Sequence, residues 1–444
     1  MIRTMSLSLL AGAAVSFGAT GVALGETDAP AGASSDEVRA LVADMLADAE
    51  TRSSLLQSGG TAGHDGKFFL ASPDGAFRMN ISGQMQIRYI ANFRDEGTVG
   101  PADPGAPYDD FESGFQNRRM KLVFDGHVYN DFFYKIQFEF GRTGGGAVLQ
   151  DAFVGYEFEN GLKLRAGQFK LPFLREELVS SRRQLAVDRS YTNEIYNQDR
   201  SQGIELGYET DNWRIAGAFS DGIGLGAPAG FVPVAVGTDN TDFNDPAESD
   251  WALTARFEWL GAGTWNQFKG FSSPRSNEGL AWMLGAAMNW QNGAPGSTPA
   301  DRDTGNMFGW TIDASFQGSG WNAFGAFTGR HGDADFFGGS SVDEYGWVAQ
   351  GGIFVTEDIE PFLRWDMIIP DSGSAFNTLT AGANWYLHGN AAKFTVDVQY
   401  WLDDPAGTTV GGVAGLPAND GIGYLGNGTE DGEFAIRAQF QLLF

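Results

Sequence analysis

Apolar and polar residues alternate along most of this chain with a period of two. In 78–93 the odd positions carry Met79, Ile81, Gly83, Met85, Ile87, Tyr89, Ala91 and Phe93, while Arg78, Asn80, Ser82, Gln84, Gln86 and Arg88 take even ones. Successive side chains of a strand point to opposite faces, so this run predicts a strand with one apolar and one polar face. Its sixteen residues exceed a typical soluble strand of about 5–6. They suit a strand that crosses a bilayer at a tilt and overhangs it.

The same alternation predicts strands near 116–129, 132–140, 150–158, 162–170, 203–209, 212–219, 251–259, 280–290, 308–316, 321–329, 345–354, 357–367, 377–387, 392–401 and 432–444, sixteen in all. In the last, Phe434, Ile436, Ala438, Phe440, Leu442 and Phe444 share one face, and Glu433, Arg437, Gln439 and Gln441 the other. A final strand of this kind ending on an aromatic resembles the C-terminal signal that the barrel-assembly machinery of bacterial outer membranes reads. Tight hairpin signals at Asn130-Asp131, Asn160-Gly161, Thr210-Asp211, Gly318-Ser319-Gly320 and Gly389-Asn390 join alternate strand pairs. Connections of the other parity are mostly long: 94–115, 171–202, 220–250, 291–307 and 402–431. Short turns at one end and long loops at the other characterise an outer-membrane barrel. The stretch 260–279 is long where a short turn belongs, which leaves the strand count there open by two. Trp251 and Trp259, like Trp282 and Trp290, share a face eight residues apart. That spacing approaches the height of an apolar band of about 25 Å between two aromatic girdles.

The expected fold is therefore all-β: a 16-stranded antiparallel transmembrane barrel over 66–444, preceded by a short N-terminal periplasmic segment. Residues 1–25 read as a signal peptide, with Arg3, an apolar stretch from Leu7 to Val22 and a small-x-small site at Ala23-Leu24-Gly25. Segment 26–65 follows, comprising a linker, a helix from Ser34 to Gln57 opened by a Ser34/Glu37 capping box, and a Gly-rich hinge over 58–66. Val38, Val42, Met45, Ala49 and Leu56 fit heptad positions, so the helix is either a short coiled coil or a single amphipathic helix. A trimeric coiled coil would add a second role, tethering the membrane to the cell wall.

The chain has no Cys and a formal charge of −27. These exclude thiol chemistry and Cys-ligated metals and argue against nucleic-acid binding, which needs basic surface. Its four His (His64, His127, His331 and His388) have no Ser or carboxylate at a catalytic spacing. The acidic run Asp239, Asp242, Asp245, Glu248, Asp250 lacks the EF-hand pattern. The sequence thus predicts no enzyme, no cofactor and no metal.

Ala166-Gly167-Gln168-Phe169-Lys170-Leu171-Pro172-Phe173, the entry strand Arg78-Met79-Asn80-Ile81-Ser82-Gly83-Gln84 and Gly203-Ile204-Glu205-Leu206 resemble the phosphate-selective porin O/P family of outer-membrane channels. The resemblance implies a homotrimer in outer-membrane lipid that passes small hydrophilic solutes, with anions such as phosphate favoured. It also implies a long loop folded into each pore, by position 172–201. Strand parity puts ten basic residues on the lumen wall, among them Arg88, Arg119, Lys121, Lys163 and Arg165, against eleven acidic ones. The loop adds Arg175, Arg182, Arg183, Arg189 and Arg200. The tandem Arg182-Arg183 is the leading filter candidate, because a guanidinium fork suits oxyanions; salt bridging between loop and wall is the alternative. Such a balanced wall also fits a general-diffusion pore. Inward aromatics (Phe133, Phe153, Phe324, Phe354, Phe362 and Tyr386) leave a sugar-permeable pore as a third reading.

Overall fold

The computed structural model describes residues 40, 43–44, 61–95, 110–141, 145–222, 249–275, 279–293, 305–337, 340–404, 408–411, 413–414, 421–425 and 432–444. Sixteen antiparallel strands close on themselves: β1 (Phe77–Phe93), β2 (Phe111–Val128), β3 (Phe132–Phe140), β4 (Ala147–Glu157), β5 (Leu162–Lys170), β6 (Arg200–Glu209), β7 (Trp213–Ser220), β8 (Trp251–Ala262), β9 (Ala281–Asn292), β10 (Asn306–Gly318), β11 (Trp321–Gly332), β12 (Val342–Ile353), β13 (Ile359–Ile369), β14 (Phe376–Tyr386), β15 (Ala392–Trp401) and β16 (Phe434–Leu443). The ring closes where β16 pairs with β1, from Phe434 opposite Phe93 to Leu443 opposite Gln84. Closure satisfies every strand edge, the condition for a sheet to sit in hydrocarbon.

Burial is inverted relative to a soluble protein. Ile204, Phe219, Met288, Ile312, Leu363 and Trp385 are exposed on the outer face, while Arg88, Glu344, Glu360, Asn384 and Gln441 are buried inside. Aromatic pairs ring both margins of the outer face. Phe77–Tyr129 and Trp259–Trp282 lie at the short-turn end, with centroids 4.8 and 5.1 Å apart. Trp251–Trp290, at 5.5 Å, lies at the other end. Amphipathic rings favour such interfacial positions.

Residues 263–280 do not alter the strand count. β8 and β9 pair directly from Trp251–Asn292 to Ala262–Trp282, and the described residues 263–275 fold into the barrel mouth. Register shifts break strict parity at three places, one of them between Leu260 and Ala262 on β8. The β1–β2 register shifts between Gln86 and Ile87, so Arg118 joins Arg119 inside. The third shift, between Gln137 and Phe138, turns both Gln150 and Asp151 inward. An extra residue in one strand re-aims its neighbours in this way.

The sheet begins earlier than the expected hinge allows. Thr61–His64 and Phe68–Ala71 form a hairpin whose second strand pairs with β1, Phe68 opposite Ile81. Gly63 makes this packing close, because a Cβ there would lie 2.7 Å from the ring of Phe69. Just beyond the hairpin Phe444 exchanges backbone hydrogen bonds with Gly83. Of the helix expected over 34–57, Ala40, Ala43 and Asp44 are described and helical. The rest of it and the segment 1–25 lie outside the described residues.

Candidate pore constriction

The connection from β5 to β6, residues 171–199, descends into the lumen. It ends two residues before the expected 201 because Arg200 and Ser201 already pair with Lys170 and Phe169. Two short helices, α1 (Arg175–Leu178) and α2 (Tyr191–Tyr196), flank a 3-10 turn at Ser181–Arg183. Ser190 caps α2, its Oγ accepting from Asn193 N at 2.9 Å. Apolar contacts pin both limbs. Phe173, Leu174, Tyr191, Ile195 and Tyr196 pack with Phe376, Trp401 and Tyr424. Val179, Leu185 and Ala186 pack with Phe271, Phe324, Val348 and Phe362. The inward rings Phe324 and Phe362 are thus spent on seating the loop. Phe133 and Phe153 instead meet edge-to-face at 6.3 Å on the wall.

Charges fix the loop further. Asp188 receives Arg119 at 2.7 Å, Arg118 at 2.9 Å and Arg88 at 3.1 Å. Burial alone would raise the Asp188 carboxyl, but the guanidiniums of Arg118, Arg119 and Arg88 hold it well below the usual range. Arg175 donates to Ser315 Oγ at 3.1 Å and to the Phe268 carbonyl. Arg189 binds the carbonyls of Glu176, Glu177 and Val179 and pairs with Glu177 at 3.1 Å. On the wall Lys121 pairs with Glu139 at 3.0 Å, Lys163 with Glu157 at 3.2 Å and Arg165 with Glu205 at 2.6 Å. With Arg175 3.7 Å from Glu258, seven of the nine candidate bases have a carboxylate partner, and Arg118, which parity hid, joins them.

Arg182 and Arg183 are different. Neither has a carboxylate within salt-bridge reach among the described residues, and the buried Nε of Arg182 has no hydrogen-bond partner. Loop-to-wall salt bridging does not account for them. Four consecutive carbonyls hold their turn against the barrel. Ser181 O accepts from Gln86 at 3.3 Å, Arg182 O from Gln441 at 3.0 Å, Arg183 O from Phe271 N at 3.0 Å and Gln184 O from Lys393 at 2.8 Å. Burial, then the like charge of Arg183, lowers the Arg182 guanidinium from its ordinary value, and Asp125 partly offsets them. Two adjacent guanidiniums held this way concentrate positive charge at the turn.

Exposure divides the lumen by height. Lys163, Glu157, Arg214 and Glu209, near the short-turn end, keep 49, 51, 33 and 49 % of their side-chain surface exposed. They line a solvated vestibule. At loop level Lys121, Gln137, Gln150, Asp151 and Arg200 are buried, so the polar side chains of that side of the wall pack against one another and the loop. From the long-loop end, residues 421–425 add to the packing. Arg88 binds the Gly421 carbonyl at 2.6 Å and Arg437 that of Ile422 at 2.7 Å.

A family model described as "Phosphate-selective porin O and P" matches residues 99–291. It bears out the resemblance and takes in the stretch 166–173 and the whole constriction loop. No curated protein matches at a significant level. Among solved structures, an anion-selective porin from Comamonas acidovorans superposes with TM-score 0.53 at 12% identity, covering 82% of this chain and 99% of the other. OprB of Pseudomonas putida, solved at high pH, gives TM-score 0.51 at 11% identity, covering 89% of this chain and 96% of that one. At such identities the likeness is one of fold: a porin-type barrel.

Proposed function

We propose that the protein is an outer-membrane porin passing small hydrophilic solutes by passive diffusion, with anions such as phosphate favoured at Arg182 and Arg183. The observation that carries this is the unpaired state of those two guanidiniums beside loop and wall arginines that each have a carboxylate partner. Among the described loop and wall arginines, only these two have no carboxylate within salt-bridge reach. A closed barrel with an apolar outer belt and a charged lumen supports a channel rather than an enzyme. The family match and the name of the Comamonas porin support the sign of the preference.

The same reading makes 1–25 a signal peptide and 26–65 a periplasmic segment that, as a trimeric coiled coil, would tether the membrane to the wall. The barrel is a homotrimer in outer-membrane lipid, delivered to the assembly machinery by the strand ending at Phe444. It uses no cofactor, metal or nucleic acid. The balanced wall pairs favour one alternative, a general-diffusion pore in which Arg182 and Arg183 only orient polar solutes. Titrating inorganic phosphate against single-channel chloride current in planar bilayers separates the two. Selective block that Arg182→Gln/Arg183→Gln abolishes supports the filter, and current indifferent to phosphate supports general diffusion.

A further inference from the structure

At the short-turn end, the connection 263–280 departs from the pattern of tight hairpins. It bends inward at a 3-10 turn, Gln267–Lys269, and buries two rings. Phe268 packs with Leu260, Ala281 and Met283, while the Phe271 ring lies tilted with its centroid 4.7 Å from that of Phe324, inside the cluster that seats Val179, Leu185 and Ala186. Four anchors fix it to the wall. Gln317 donates to Gly270 O at 3.4 Å, Ser273 N to Glu360 at 2.8 Å, Gly320 N to Pro274 O at 3.0 Å, and Asn390 to Ser272 at 3.1 Å.

This turn then reaches both limbs of the constriction loop. Its Phe268 carbonyl accepts from Arg175, and its Phe271 N–H donates to Arg183 O at 3.0 Å. Gly270 lies against Arg183 itself: a Cβ there would fall 2.9 Å from Arg183 Cβ and 3.3 Å from Cδ. The Gly270 backbone is extended, with φ −154°, so any residue could adopt its conformation. What Gly270 supplies is room for Arg183.

We infer that residues 267–274 form the second half of the constriction, positioning Arg183 and so setting the pore's ion preference without contributing the charge. The inference rests on the reading of Arg182 and Arg183 as an anion-attracting pair. A site held to fractions of an ångström depends on such a supporting shell. Gly270 is a positioning residue in this scheme, since it acts only through Arg183.

The test is the reversal potential of the purified full chain in planar bilayers under a KCl gradient. It compares wild type, Arg183→Gln, Gly270→Ala and the double variant, with assembly checked by heat-modifiable migration on gels. Gly270→Ala alters no charge, yet it is expected to move the potential in the cation direction by a substantial part of the Arg183→Gln shift. The double variant should move no further than Arg183→Gln alone, because both changes act through one guanidinium. A merely structural role would lower the yield of assembled barrel and leave assembled channels with the wild-type potential. That result, alongside a shift in Arg183→Gln, overturns the inference and spares the filter. If Arg183→Gln itself keeps the wild-type potential, the filter falls and the inference with it. Should Gly270→Ala not assemble, Gln317→Leu, which frees the Gly270 carbonyl, must produce the same shift or the inference fails.

Discussion

Asp188 is the residue on which the loop's seating depends most. Its three guanidinium partners, Arg88, Arg118 and Arg119, come from two strands and are themselves buried. Removing the carboxylate leaves them facing one another, and breaking a buried ion pair costs about 3–5 kcal/mol. Asp188→Asn should therefore unseat the loop, giving a lower melting temperature in detergent and larger, noisier single-channel currents; quiet, wild-type currents would contradict this. Glu194 on α2 titrates in the opposite sense. Burial and then Asp188 push its carboxyl up to about 7 from 4.5, against the pull of Arg118 and Arg189. A raised acid favours the folded state below 4.5 and loses that contribution as pH climbs through about 7. Thermal stability should fall from pH 5 to pH 8, by no more than about 1.4 kcal/mol per pH unit, and Glu194→Gln should flatten the profile. Parity alone was enough to place Arg88 and Arg119 inside. It missed Arg118, because the bulge that turns it inward depends on register with β1, which no local pattern announces.

Among the elements, the strands were readable and the insertions were not. All sixteen predicted strands are present, since each carries its own period-two signal and needs no knowledge of its neighbours. The loop 171–199 was foreseen by length and by family resemblance, but its path is set by contacts such as Lys393 to Gln184 O and Asn384 to Leu185 O. Those partners lie some two hundred residues away in sequence. For the same reason the turn 263–280 registered only as an irregular length. Close approaches between strands impose requirements of their own. A Cβ at Gly126 on β2 would fall 1.8 Å from the Arg78 carbonyl oxygen, and backbone cannot yield as a side-chain tip can. Gly126→Ala should sharply reduce the heat-modifiable, folded form on gels, whereas a wild-type yield would show that β1 and β2 separate more easily than the register implies.

At the scale of the whole molecule, the barrel is a polar core inside an apolar skin, and the loop 171–199 packs into that core. The constriction is accordingly tight, and deleting 176–197 should raise single-channel conductance several-fold while erasing ion preference, measured side by side in the same bilayers. The formal charge of −27 gives no guide to that preference, because exposed charges farther from the pore than a Debye length of about 10 Å are largely screened. The most direct test is the reversal potential of the wild-type channel under a salt gradient. An anion-signed potential that moves toward the cation side in Arg182→Gln/Arg183→Gln is the result expected. A cation-signed or near-zero potential, unchanged by that double substitution, would contradict the claim that these two arginines set what passes.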